Sequence, residues 1–201
     1  ILDEMLAANV PVVHLNWHYR SRHESLITFS NHRYYNGGLV TFPSPVTTDR
    51  AVHLVRVAGV YDRGINQINL IEAQAIIAEI VARYGGDQPS PDTLGVVSFN
   101  QKQQTLIQNL LDQARSENPE LDQYLAQETL EPLFVKNLES VQGDERDIIL
   151  FSTTFGRDAA GKMLMNFGPI NQQGGERRLN VAITRARKEL KVFTSLKPDD
   201  I

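Results

Sequence analysis

The sequence predicts an α/β domain: a mainly parallel sheet with helices packed against it. Two apolar runs bounded by turns, Leu94–Phe99 and Arg146–Thr153, read as strands buried on both faces. Between and around them lie segments with helical periodicity, above all Asn69–Tyr84 and Gln101–Ala114. Strand and helix alternate along the chain, and that order favours a parallel sheet. With 201 residues, 41% of them hydrophobic, the chain is long enough to bury one ordinary core.

Residues 1–9 are expected to be helical, and Pro11–Leu15 to form a short buried strand. A helix from about Glu24 to Tyr35 ends at Asn36-Gly37-Gly38, a C-cap signal. Thr41–Arg50 is loop, broken by Pro43 and Pro45, and Val52–Val57 alternates as a strand does. Asn69–Tyr84 places Leu70, Ala73, Ile77 and Ile80 on one face and stops at Gly85-Gly86. The helix after Leu94–Phe99 turns Leu106, Ile107, Leu110 and Leu111 inward. A short helix near Leu121–Ala126 and a brief strand at Phe134-Val135 precede the buried strand Arg146–Thr153. Arg157–Gly168 reads as an exposed excursion of hairpin type.

The most informative stretch runs from Gly174 to Leu190: a glycine turn, an amphipathic helix, then entry into a last strand, Leu190–Thr194. Leu179, Ala182, Ile183 and Ala186 fall at the spacing of one buried helix face. Arg178 and Arg185, seven residues apart, would stack on its margin. A guanidinium there is costly to desolvate unless an anion meets it.

A net charge of -4 gives no global cationic field, so any polynucleotide contact must come from a local groove. The absence of cysteine excludes a disulfide scaffold and a thiolate metal site, and fits a reducing cytoplasm. No apolar run reaches membrane-spanning length and no signal peptide is visible, so no membrane role is expected. His14, His18, His23 and His32 share one region and His53 is isolated; none has metal-ligand spacing. The phosphate-loop pattern G-x-x-x-x-G-K-[ST] is missing. The chain begins at Ile1, inside an expected helix, and is read as one domain, 1–201, of a longer protein. Ligands of parallel sheets sit at the carboxyl ends of strands. The stretches Asn16–Arg22, Ser98–Gln101 and those flanking Arg146–Thr153 are therefore expected to converge on one edge.

NWHYRSR (Asn16–Arg22), LGVVSFNQKQ (Leu94–Gln103), ESVQGDERDIILFS (Glu139–Ser152) and RRLNVAITRAR (Arg177–Arg187) occur in this order. Together they resemble the late motifs of superfamily I helicases, in the branch of the RNA-surveillance and Okazaki-fragment-processing enzymes. The stretch Asn16–Pro45 is further similar to large bacterial helicase-like proteins that carry a nuclease-like domain. The resemblance covers nearly the whole chain. It implies the second RecA-like motor domain, of P-loop-NTPase type without its own Walker A.

ATP would then lie in a cleft shared with a first RecA-like domain, which supplies the phosphate loop and most of the Mg2+ ligands. Tyr19 matches the residue that stacks on adenine, and Arg20 the arginine that reaches the γ-phosphate. Arg185 matches a second γ-phosphate arginine, and two guanidiniums suit a transition state with several charged oxygens. Gln142-Gly143 and Glu145 match the turn and carboxylate that meet the nucleotide, Glu145 at the ribose hydroxyls. Ser98 and Asn100 stand where many relatives have Thr-Pro-Tyr, a segment that holds single-stranded DNA or RNA by its phosphates. Ser140 is a second candidate for the same strand.

Structural alternatives stand beside each assignment. Tyr19 would be a core aromatic and Arg20 half of a surface salt bridge; Ser98, Asn100 and Ser140 would be capping groups. Glu145 would pair with Arg146, and Asp147 with Arg178 or Arg185. Two rival functions remain: an ATP-independent scaffold or nucleic-acid clamp, and a nuclease using Asp144, Glu145 and Asp147. The isolated chain is expected not to hydrolyse ATP.

Overall fold

The computed structural model describes residues 2–13, 15–44, 50–64 and 66–200. Five parallel strands form the main sheet: β3 (Val52–Arg56), β4 (Leu94–Ser98), β5 (Phe134–Asn137), β6 (Arg146–Ser152) and β7 (Ala186–Thr194), in the order β3-β7-β6-β4-β5. A separate two-stranded parallel pair joins β1 (Trp17–His18) to β2 (Val40–Thr41). This is a RecA-like α/β fold. β4 and β6 are buried at every position, the physical reason for their unbroken apolar sequences.

Successive side chains leave a strand on opposite faces, so each central strand feeds two cores. On one face Val96, Ile148 and Leu150 pack with Ile76 and Ile80 of α3 (Leu70–Tyr84), Ile107 and Leu111 of α4 (Gln101–Glu117), and Leu121 of α5 (Pro119–Leu125). On the other, Val97, Ile149 and Phe151 meet Leu26 of α2 (Ser25–Tyr34) and Ala182 of α6 (Gly175–Ile183). Asn69, Asn100 and Asn118 cap α3, α4 and α5, each accepting from the backbone N–H three residues on.

Several expectations need correction. Residues Pro11–Val13 and Leu15 form no strand; Val12, Val13 and Leu15 are exposed, because the segment pairs with neither edge of the sheet. The first nine residues contain only the short α1 (Leu2–Ala7). His14 and Pro45 lie outside the described residues. In α3 Leu70 is 45% exposed, whereas Glu72 turns fully inward, bonded to its own N-cap and to the strand ends beyond. Helix α6 stops at Ile183, where the Thr184 hydroxyl donates to the carbonyls of Asn180 and Val181. Ala186 therefore leaves the helix face and opens β7, four residues earlier than expected, by pairing with Arg146. The excursion 157–168 holds no strand; it turns through Asp158–Lys162 and ends in a 3₁₀ turn, Gly168–Ile170.

Gly95 is needed where it stands. A Cβ there would sit 2.3 Å from Cζ of Phe134, whose ring lies across the β4–β5 pair with the Arg146 guanidinium 4.8 Å above its centroid. Gly95→Ala should displace that ring and cost about 1–3 kcal/mol, the usual range for overpacking. The shift in urea midpoint measures it; an unchanged midpoint would contradict the close packing described.

Candidate functional site at two edges of the sheet

Because all five strands run one way, the sheet has an amino edge and a carboxyl edge. Arg146 pairs with Ala186, so Glu145 and Arg185, one residue before each, both belong to the amino edge. Ser98 pairs with Ser152 and with Asn137, so Ser98, Asn100 and Ser140 belong to the carboxyl edge. The expected single convergence is therefore wrong. The chain direction divides the residues between opposite ends of the strands.

At the amino edge the segment 16–22 is tied to β7 by the Arg22 amide, which donates to the Arg187 carbonyl at 2.8 Å. A tight turn precedes it: the Ser21 amide donates to Nε2 of His18 at 3.2 Å, with the Ser21 hydroxyl 2.8 Å from the same nitrogen. Burial, then the nearby Arg20, push the His18 pKa down, which suits this neutral acceptor role. The turn leaves the Tyr19 side chain 83% exposed, so it is no core aromatic. It also sends Arg20 to Glu145, Nε to Oε2, at 2.5 Å.

The arginines of this edge are neutralised very unequally. Arg187 is bonded to Glu131, to Asp147 at 3.2 Å and to the Thr93 hydroxyl at 3.0 Å, with Glu145 3.7 Å away. The Glu131 hydrogen bonds are the main reason its pKa rises further above the ordinary arginine value. Arg185 is half-buried and makes no ion pair among the described residues. Its Nε donates to the Val181 carbonyl at 2.7 Å and its Nη2 approaches the Thr184 hydroxyl at 3.4 Å. Burial and then the like charge of Arg20 depress its pKa, only partly opposed by Glu145 and Asp144. A desolvated guanidinium beside a second one attracts an anion.

Neighbouring acids are already committed. Asp144 pairs with Lys136 at 2.5 Å, and Asp147 with Arg187 and Lys188 rather than with Arg178 or Arg185. Arg146 donates to the carbonyls of Pro132 and Glu145, not to the Glu145 carboxylate. Arg178 lies apart from Arg185, its Nη1 3.4 Å from the Pro169 carbonyl. Gln142 is exposed, and Gly143 turns the chain at φ 95°, where a side chain would be strained. Among the described residues no three acids or histidines converge as metal ligands.

At the carboxyl edge the polar side chains hold turns. Ser98 is fully buried and donates to the Asn100 carbonyl at 2.9 Å. Asn100 accepts from the Gln103 amide at 2.7 Å and donates to the Gln67 carbonyl at 3.0 Å. The Ser140 amide and hydroxyl are locked onto Asn137. Sequence reasoning missed Glu72, a buried carboxylate with no cation. Its Oε2 accepts from the Thr154 amide at 2.7 Å and the Ser152 hydroxyl at 2.8 Å. Its Oε1 accepts from the Ser195 amide at 2.9 Å and the Thr153 hydroxyl at 3.2 Å. The signal was present as Asn69-x-x-Glu72, a relative of the capping box.

A family model described as an AAA domain matches residues 1–197. The chain belongs to the AAA domain family. Two curated relatives are each described as an uncharacterized ATP-dependent helicase: one from Mycoplasma pneumoniae, 39% identical over 197 residues, and one from Mycoplasma genitalium, 38% identical over 192. Both matches cover 92% of this chain but 16% of the relative, so the chain spans a small part of their length. A regulator of nonsense transcripts 1 homolog from Arabidopsis thaliana is 25% identical over 202 residues, covering 93% of this chain and 15% of that protein. The fold is shared with the C-terminal domain of a possible DNA helicase from a Lactobacillus strain, at TM-score 0.52 and 14% identity, over 90% of both chains. The chain is thus an AAA-family domain with a RecA-like fold. Among the described residues no helix is long and apolar enough to cross a membrane.

The ion pairs around Arg187 set an acid limb. Its hydrogen bonds hold the Glu131 carboxyl below the ordinary 4.5, and although burial pushes Asp147 up, Thr93, Arg187 and Lys188 together hold it below 3.8. Folded values below unfolded ones mean stability present at neutral pH and lost as pH falls through and below that range. Arg187→Met should flatten this limb, read as a smaller change of urea midpoint on acidification. A limb as steep as in the unaltered chain would contradict the assignment.

Proposed function

We propose that the chain is the second RecA-like motor domain of an ATP-dependent superfamily I helicase or translocase, of the RNA-surveillance and Okazaki-processing kind. The observation that carries this is Arg185: a half-buried guanidinium with no ion pair among the described residues, beside Arg20, on an edge that also shows the bare ring of Tyr19. Such a constellation suits a polyphosphate joined to a flat base. ATP would lie between this edge and a first RecA-like domain that brings the phosphate loop and most of the Mg2+ ligands.

In this reading Tyr19 takes adenine, and Arg20 and Arg185 take the γ-phosphate. Glu145 holds Arg20 until the phosphate replaces it, which frees the carboxylate for the ribose hydroxyls. Gln142 and Gly143 shape the turn that presents Glu145. At the opposite edge a single strand of DNA or RNA passes the turns braced by Ser98, Asn100 and Ser140. Their side chains are engaged internally, so outward main-chain groups make the phosphate contacts. The nuclease alternative loses ground, because Asp144, Glu145 and Asp147 are already paired with Lys136, Arg20 and Arg187 respectively.

In the full-length protein Arg185→Ala and Arg20→Ala should each lower polynucleotide-stimulated ATP turnover, by about 10³-fold for a true arginine finger. Thermal unfolding of the same variants controls for folding. Turnover unchanged in both would refute the assignment, and no turnover even in the unaltered protein would favour the scaffold reading.

A further inference from the structure

A cleft lies at the carboxyl edge, far along the strands from the arginine pair. It has a volume of about 280 Å³ and sits between the loop after β3, the turn after β6 and the excursion 157–168. Its walls include Tyr61, Arg63, Asn100, Phe155, Lys162 and Asn166. We propose that this cleft is a nucleotide subsite, holding one base of a single-stranded polynucleotide against Tyr61 and Phe155 with the adjoining phosphate at Lys162. The proposal rests on the motor reading above and extends it to Tyr61, Phe155 and Lys162, which no helicase motif of this sequence contains.

The chemistry of the walls selects the ligand. The partly buried Tyr61 ring packs on the buried Phe155 ring, centroids 5.1 Å apart and planes tilted by 57°, so Tyr61 is the ring on which a base can stack, backed by Phe155. Lys162 is exposed at the rim and makes no ion pair among the described residues, so its ammonium is available to an anion. The Asn166 side chain, its Oδ1 held by the Gly168 amide, adds an amide N–H for a base edge. A purely apolar ligand would leave the ammonium unused, and a free phosphate would leave the rings unused. The volume lies just below the roughly 300–1,000 Å³ of small-molecule sites, which suits a single nucleotide unit.

The cleft is also built, at a conformational cost. Thr154, a β-branched residue, is held at φ 67°, in the left-handed region such residues avoid. The Thr154 amide is fixed by the buried Glu72 carboxylate, and the turn delivers Phe155 to the floor. Gly156 follows because a Cβ there would lie 2.5 Å from the Ser195 hydroxyl. The excursion is pinned by Arg63 to Asp158 and by Arg157 to Asp200, both at 2.6 Å.

The test is binding of a fluorescent single-stranded oligonucleotide of about 12 nucleotides, within the usual site sizes, to the 201-residue chain. Tyr61→Leu should weaken binding about tenfold, with Tyr61→Phe restoring it. Lys162→Ala should weaken it and lower the salt dependence by about 0.7, the share of one single-strand phosphate. Irradiation of a 5-iodouracil oligonucleotide should attach it at Tyr61 or Phe155. Unchanged affinity in both variants, adducts confined to Trp17, Tyr19 or Phe42, or no binding at low salt would each overturn the subsite. If ATP turnover proves indifferent to Arg185 while binding follows Tyr61 and Lys162, the motor reading fails and the subsite stands; the reverse pattern removes the subsite alone.

Discussion

The pairing of Ala186 with Arg146, at the start of the two central parallel strands, is the constraint from which the rest follows. It ends α6 at Ile183, because the backbone beyond Thr184 is claimed by the sheet. It brings Arg185 to the same edge as Glu145 and draws Arg187 to Glu131 before β5, Glu145 before β6 and Asp147 within β6. A helix continued to Leu190, as periodicity suggests, would have carried Arg185 away from Glu145.

Around that pairing, burial sorts three neighbouring arginines into three roles. Arg187 is saturated by two carboxylates and a hydroxyl, and so ties strands together. Arg20 shares one carboxylate at the surface, a contact that exchanges easily. Among the described residues Arg185 has carbonyl and hydroxyl acceptors alone, and its desolvated charge attracts an anion. The other edge is organised by the opposite device, a buried carboxylate satisfied entirely by neutral donors, which holds a strained turn under an aromatic cleft.

Much of the fold was legible because β4 and β6 are buried on both faces and their helices are capped by asparagines that local sequence displays. What was not legible depended on contacts between distant segments. Residues 10–13 are apolar yet exposed, since apolarity without a sheet partner specifies no strand. Glu72 reads as a surface acid at a helix start, until the ends of β6 and β7 close over it. The residues of the candidate site were individually visible through their resemblance to helicase motifs. Their division between two edges was not, because motif order does not state at which end of a strand a residue falls. The cleft residues Tyr61 and Lys162 carry no motif, and the fold alone brings them together.

The central claim is that the two ends of one parallel sheet meet two different ligands. It is tested most directly by amide chemical-shift mapping of a single ¹⁵N-labelled sample of the chain, titrated with inorganic triphosphate and, separately, with a single-stranded oligonucleotide. The account predicts that triphosphate shifts the amides around Arg20, Glu145 and Arg185, while the oligonucleotide shifts those around Tyr61, Asn100 and residues 155–168. Both ligands shifting the same set of residues would contradict it.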